Sequence, residues 1–368
     1  MIDNQHGDGV PNNGRCVDFA PADCLTPKEV RRNSRFSQLA LVAALEAMNQ
    51  AGMQDTLPYK PEHVCCAIGS GLGGVEVYDA PVGPLSVAML MPSAAAAAVS
   101  MRFGVCGEVT GIAAACASGN QAIGAGYKAV RYGGVPAAIV GASDAVLAPL
   151  VERSFQTAGV LSPSGQCLPF NCHRDGFVMS EGAGILILEN YDLARDRGAT
   201  PLGFIVGYGA SAEAHTVMGS FAGGGRTAQA MHAALQDANL EPGAIDYINA
   251  HGTGTELNDV NEIAALRLVF GDRLADIPLS SLKGQLGHLM GACGAVETIL
   301  TLRMLSMQIA IPNYGLTEDD SIARGAMAIC DYVKIQRKGV GGIALCNSFG
   351  FGGQNASVIV ASEDYEAA

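Results

Sequence analysis

Tryptophan is absent from this sequence, and only 15% of its 368 residues are charged. Basic residues are the scarcer sign: 22 Lys and Arg stand against 35 Asp and Glu, a net charge of −13. That balance excludes general nucleic-acid binding, which rests on neutralising phosphates. An acidic partner would need a local basic patch. No CxxC pair occurs among the eleven cysteines, and their number is odd. With no basic segment leading into a short apolar one, the pattern is that of a reducing cytoplasm and mostly buried thiols. No run of about 18 apolar residues is free of polar breaks, so no membrane span is expected. Disorder-type low complexity is missing away from the ends; residues 1–14, polar and rich in Gly and Asn, read as a mobile tail.

What is present points to a large core. The chain is 49% hydrophobic, with a mean hydropathy of +0.24. It holds 47 glycines and several alanine runs, a composition suited to closely packed helices and tight turns near a reaction centre. Its length fits roughly two domains or one large α/β unit.

Short apolar runs alternate with amphipathic stretches, which predicts an α/β fold. Strands are expected over 63–71, 107–115, 136–146, 201–210, 244–252, 341–353 and 356–362. Helices are expected over 35–52, closed by Gly52, and over 118–134 and 226–240. Residues 277–307 run strand, loop, helix. The element order repeats, which predicts an internal duplication into 1–200 and 201–368.

Four motifs carry chemistry. In AAACASGNQAI (113–123), Cys116 stands between a strand and a helix of small residues. Alone among eleven thiols it reads as packing. At a helix N-terminus, partial positive charge would favour its thiolate, and a nearby N–H would face an oxyanion. NAHGTGTELND (249–259) puts His251 at a strand end before a Gly/Thr loop; its imidazole is either a donor to a carbonyl oxygen or a structural group. SLKGQLGHLMGACGAVE (281–297) carries Lys283, His288 and Glu297. Lys283 and Glu297 have the makings of a buried pair that positions the loop, unless Lys283 is simply solvated. NSFGFGGQNAS (347–357) frames Phe351 with glycines that permit a second oxyanion N–H and a swinging ring. Four such loops at strand ends in one chain imply one crevice.

In this order, ACASG, HGTGT, KGQLGHLMGACGAVE and NSFGFGG resemble the β-ketoacyl-acyl-carrier-protein synthases of the thiolase superfamily, of the elongating Cys-His-His type. PFNCHRDGFVMSEGAG (169–184) matches a further segment of that family, and the likeness runs from Asp18 to Val360. The resemblance implies a duplicated five-layer αβαβα fold and decarboxylative condensation of an acyl group on Cys116 with malonyl-acyl-carrier protein, in fatty-acid or polyketide elongation. By the same likeness, His251 and His288 hold the malonyl thioester carbonyl. The N–H groups of Cys116 and Phe351 form the oxyanion hole. Lys283 and Glu297 are the supporting pair, with Asp175 and Glu181 as further supports. Thr253 and Thr255 bind the phosphopantetheine arm, and Lys28, Arg31 and Arg32 dock the acidic carrier protein. No metal or resident cofactor is implied. A homodimer is implied, or a heterodimer with another ketosynthase-like chain, with alanine-rich 94–99 near the interface.

The likeness has gaps. The family's first strand, expected at the centre of the first sheet, is not matched; GRCVDF (14–19) reads as a later short strand, and 76–92 as a shortened lid and dimer segment. Ala114, Leu168, Asn171, Ser180, Leu282 and Gly284 depart from the usual residues, which reads as a divergent branch, such as one of secondary metabolism. Two other readings stay open: a chain-length-factor-like partner subunit, and an acyltransferase that uses Cys116 without condensing.

Overall fold

The computed structural model describes residues 13–54, 56–217, 219, 222–318 and 322–365. All but the last two residues of the polar stretch 1–14 therefore lie outside the described residues.

The first half runs α1 (Pro27–Arg32), α2 (Arg35–Gln50), β1 (Val64–Gly69), α3 (Ser86–Leu90), α4 (Ala94–Phe103), β2 (Val109–Ile112), α5 (Ser118–Arg131), β3 (Ala137–Asp144), α6 (Pro149–Thr157), β4 (Gly182–Glu189) and α7 (Tyr191–Asp196). The second half runs β5 (Phe204–Ala212), α8 (Gly225–Ala238), β6 (Tyr247–Asn249), α9 (Glu256–Phe270), β7 (Pro278–Ser280), α10 (Lys283–Leu286), α11 (Cys293–Met307), β8 (Ile309–Ala310), β9 (Asp331–Tyr332), β10 (Arg337–Lys338), β11 (Ile343–Gly350) and β12 (Gln354–Ala361). Local chemistry explains the ends. Thr26 and Glu29 form a reciprocal capping box around Pro27 at the start of α1. Helix α2 buries Phe36, Ala40, Ala44 and Met48 along one face and gives way to Gly52 at φ 67°. Strand β3 is buried at every residue, as a strand covered on both faces must be.

The first sheet has the order β2-β1-β3-β4, and the second β5-β12-β11-β6-β7-β9. Strands β2, β1, β3 and β4 match β7, β6, β11 and β12 in order and direction: the first three are parallel, and the fourth is antiparallel. The duplication is thus built into the sheets. It also corrects the expected central position of the family's first strand. In the second half, the first strand, β5, lies at the sheet edge, antiparallel to β12. The corresponding lane of the first half is beyond β4, and β1 and β3 pair directly over six residues. The expected short strand at 14–19 is not a strand; Gly14 makes a single bridge to Ser180.

Helices α2 and α4 cover the outer face of the first sheet, α8 and α9 the outer face of the second, and α5 and α11 lie between the sheets. This is the five-layer αβαβα arrangement. Three alanines of α4, Ala95, Ala96 and Ala98, join Phe36, Met48 and Ile68 in the core of the first half, while Ala97 is exposed. Among the described residues, no helix is long and apolar enough to cross a membrane.

The central helices touch backbone to backbone. A Cβ on Gly119 would lie 2.6 Å from the Ala295 nitrogen, and one on Gly294 would lie 2.6 Å from Asn120 Oδ1. Asn120 Nδ2 donates to Cys346 O at 3.1 Å and Ala356 O at 3.3 Å, tying α5 to the second sheet. Gly119→Ala is expected to cost about 1–3 kcal/mol through overpacking. Exposed Gly243, with nothing within 4 Å of a Cβ, should tolerate Ala within about 0.5 kcal/mol. Denaturant midpoints of the two variants measure the contrast, and equal midpoints would contradict it.

Candidate active site

Cys116 follows β2 on a tight elbow. Ala115 is held at φ 47°, a strained conformation for a residue with a Cβ. Ser118 locks the bend: its hydroxyl donates to Ala115 O at 2.6 Å and accepts the Ala114 N–H at 2.9 Å. The elbow leaves Cys116 just ahead of the first turn of α5.

His251 follows the end of β6. The N–H groups of His251 and Gly252 both donate at 2.8 Å to the carboxylate of Glu262, on buried α9. Those two bonds fix the loop that carries the ring. His288 lies between α10 and α11. Its N–H donates to Val178 O at 2.7 Å and its carbonyl accepts the Ser180 N–H at 2.9 Å, so the RDGF segment holds it. Phe177 packs edge-on against its ring at 4.9 Å. The Cys116 sulfur and a ring nitrogen of each histidine all lie within 4.8 Å of one another. Phe349 flanks His251 at 5.6 Å between ring centroids.

Beneath this trio, Lys283 Nζ donates to Glu297 Oε1 at 2.7 Å, and Asn249 Nδ2 donates to Glu297 Oε2 at 3.1 Å. Lys283 and Glu297 are both buried. Burial opposes the Lys283 charge, but the Glu297 carboxylate beside it holds the ammonium protonated. Burial and then the Lys283 charge push both histidines well below the ordinary imidazole value, so they are neutral donors at neutral pH.

The expected thiolate is not what the site holds at rest. Burial pushes the Cys116 thiol up to about 12, although Lys283 and the N–H groups of Phe351 and Cys116 itself pull it down. A helix terminus carries only about half a charge, and here desolvation outweighs it. Both those N–H groups nonetheless bear on the sulfur.

A cavity of about 380 Å³ opens over the trio. Its walls include Phe155, Asp175, Thr253, Thr255 and Phe351. Phe351 stacks obliquely against Phe155 at 6.2 Å. Thr253 and Thr255 share a hydroxyl hydrogen bond of 2.9 Å, and Thr255 also caps α9. Asp175 accepts from the Ser162 hydroxyl at 2.5 Å and holds the wall loop. Glu181 is not at the cavity; it pairs with Arg35 at 2.6 Å and accepts the Cys16 N–H at 2.9 Å, fastening the start of the described chain to α2. Lys28, Arg31 and Arg32 are exposed on α1.

Three buried groups escaped the sequence reading. Glu262 and Asp259 stand three apart on α9, a spacing that marks one helical face. Asp144, raised to about 6 by burial, accepts from Ser70 Oγ at 2.6 Å, Gly71 N–H at 2.8 Å and Gly291 N–H at 2.6 Å. It ties the ends of β1 and β3 to the loop after His288. Nothing in the sequence around Asp144 announces that position.

A buried thiol between two neutral imidazoles and two N–H donors, on a duplicated αβαβα frame, defines a condensing enzyme working on acyl thioesters. Family descriptions agree: residues 16–194 match the β-ketoacyl synthase N-terminal domain, and residues 202–317 match its C-terminal domain. The 3-oxoacyl-[acyl-carrier-protein] synthase 2 of Staphylococcus aureus is 35% identical over 94% of this chain and 88% of its own length. A β-ketoacyl synthase structure from Burkholderia phymatum superposes with a TM-score of 0.88 at 33% identity, covering 95% of this chain and 88% of that one. The ishigamide ketosynthase/chain length factor gives 0.85 at 29% identity, covering 96% and 87%. The chain belongs to the β-ketoacyl synthase family, and it is an acyltransferase that joins acyl units by condensation.

Alkylation of Cys116 by iodoacetamide, followed by intact mass, should rise about tenfold per pH unit from pH 7 to 9, as a thiol near 12 requires. A plateau reached below pH 8.5 would contradict a protonated resting thiol.

Proposed function

We propose that Cys116, His251, His288 and Lys283 carry a decarboxylative Claisen condensation on substrates held by an acyl carrier protein. The carrying observation is the convergence of Cys116, His251 and His288 within 4.8 Å at the floor of one cavity. In the first half-reaction, Cys116 Sγ bonds the acyl carbon, the carrier sulfur leaves, and the Cys116 proton ends on the released carrier thiol. The tetrahedral oxygen is met by the N–H groups of Cys116 and Phe351.

In the second half-reaction, malonyl-carrier protein enters along Thr253 and Thr255. His251 and His288 donate to its thioester oxygen. The C–C bond to the carboxylate breaks, CO2 leaves, and the electron pair becomes an enolate. Neutral donors gain strength as that oxygen becomes negative, so they stabilise the transition state more than the ground state. The enolate carbon bonds the acyl carbon, the S–C bond of Cys116 breaks, and Cys116 takes up a proton. Lys283 and Glu297 fix the floor beneath the trio. Asp175 and Glu181 are supports at one remove, through Ser162 and Arg35. No resident cofactor is called for, because the carrier's phosphopantetheine brings both substrates.

The named relative acts with acyl carrier protein, and exposed Lys28, Arg31 and Arg32 give this chain a cationic docking face despite its net charge of −13. The chain works as a dimer, with itself or with a second ketosynthase-like chain, the latter pairing being that named for one structural neighbour. Edge strand β2 with α3 and α4 offers the surface: Val87, Met101 and Val109 are exposed there. The retained thiol and histidines mark this chain as the catalytic member rather than the chain-length factor. The duplication boundary falls near residue 200, in the link between α7 and β5. Eleven free cysteines fit a cytoplasmic setting.

Intact-mass analysis with acyl- and malonyl-carrier proteins tests the roles. Cys116→Ala should take no acyl group; covalent acylation of that variant would sink the assignment. His251→Ala and His288→Ala should still acylate, while condensation falls by about 10²–10³; condensation at the wild-type rate in either variant would contradict their roles. Condensed product from the wild type also separates this reading from a transferase that never condenses. The triple variant Lys28→Glu, Arg31→Glu, Arg32→Glu should raise KM for acyl-carrier protein about tenfold at low salt, with kcat nearly unchanged and the effect fading at high salt. An unchanged KM removes α1 from the docking face.

A further inference from the structure

Cys293 has no role in the chemistry above, yet it touches one of its donors. It opens α11 and is completely buried. Its sulfur lies 3.2 Å from His288 Nδ1 and accepts the Leu289 N–H at 3.2 Å. The Met290 N–H donates to the same Nδ1 at 3.1 Å.

The backbone contact settles which ring nitrogen is protonated. A nitrogen that accepts a main-chain N–H carries no proton, so the His288 proton is on Nε2. The sulfur beside Nδ1 then makes a favourable contact only by donating its own S–H. The other acceptor within reach of the thiol is Glu297, one helical turn along α11, which takes a hydrogen bond from Cys293 while also accepting from Lys283 and Asn249; the thiol proton is shared between that carboxylate and Nδ1, 3.2 Å from the sulfur. Burial pushes the Cys293 thiol well above its ordinary value, so it keeps the proton to donate. The charged and titratable groups facing His288 are Lys283, with Glu297 behind it, Cys116, and His251 at 5.6 Å between ring centroids. Among the described residues, it is the Cys293 sulfur and the Met290 amide that contact Nδ1.

We propose that Cys293 is a positioning residue for the condensation: its S–H, with the Met290 N–H, holds His288 Nδ1 as an acceptor and so keeps Nε2–H aimed at the substrate oxygen. This rests on His288 being a donor to that oxygen. A second donor on Nδ1 lowers the basicity of the ring and resists its protonation, which would place two N–H groups against Met290. It also helps fix the ring's rotation, together with the edge-on contacts of Phe177 and His251. The device joins the start of α11 directly to the reacting centre.

The test compares wild type with Cys293→Ala and Cys293→Ser. Malonyl-carrier decarboxylation, its pH profile and ¹⁵N shifts of histidine-labelled protein are measured. In Cys293→Ala, kcat should fall about fivefold to tenfold, the weight of one hydrogen bond, with KM for malonyl-carrier protein within about twofold. Its acid limb should move to higher pH, because Nδ1 with one donor fewer is more basic. The Nδ1 shift should move toward that of a weaker acceptor, and Cys293→Ser should restore most of the rate, the limb and the shift. An unmoved limb and unmoved Nδ1 shift in Cys293→Ala overturn the proposal, as does a serine variant no better than alanine. In the wild type, a proton found on Nδ1 overturns it without any variant. Failure of the underlying reading has a separate signature: His288→Ala that condenses at the wild-type rate.

Discussion

The contact between α5 and α11 is the constraint on which the site depends. Gly119 and Gly294 let the two helices meet at backbone distance, so the loops that precede them converge. One loop carries Cys116 and the other His288. The β-sheets on either side bring the remaining parts: β6 ends before His251, and β11 ends at the turn of Phe351. Asn120 bonds across the same contact to both β11 and β12, so the central layer is tied directly to the second sheet. A trio gathered from sequence positions up to 172 residues apart, Cys116 to His288, needs such a rigid middle layer.

Electrostatics in that middle layer are arranged around one cation. Lys283 lowers the basicity of both histidines and the Cys116 thiol together. Glu297 neutralises it, and Glu262, pushed up to about 7 by burial, stands behind His251. The effect is a floor that keeps imidazoles neutral without stranding a bare charge. The resting thiol is protonated in this setting. In the proposed condensation, its activation therefore belongs to the moment when substrate fills the cavity and negative charge passes to the acyl oxygen.

Much of this was legible in the sequence, because the catalytic groups lie in loops with distinctive glycine spacing. Cys116, His251, His288, Lys283 and Phe351 were all visible that way, and so were the main strands and helices. What escaped were groups whose meaning is purely tertiary. Asp144 looks like any strand-end aspartate until it bridges three loops. Cys293 looks like core packing until it meets Nδ1. The thiolate expectation erred because a helix terminus is countable in sequence whereas desolvation is not. The edge position of a first strand became readable only when β5 could be laid against its sheet.

The elbow at Ala115 also limits how this sequence can drift. Its φ of 47° excludes β-branched side chains and favours glycine, but glycine would loosen the bend that aims the sulfur. The neighbour across the turn is Gly350, where a Cβ would lie 2.8 Å from Ala114 O and 3.2 Å from the Ala115 Cβ. A side chain at 350 would meet the backbone of the elbow itself, Cys116 N at 3.0 Å included, so no change at Ala115 makes room for it. Residues 115 and 350 lie in different halves of the duplication, yet the bend in one half holds the other to glycine.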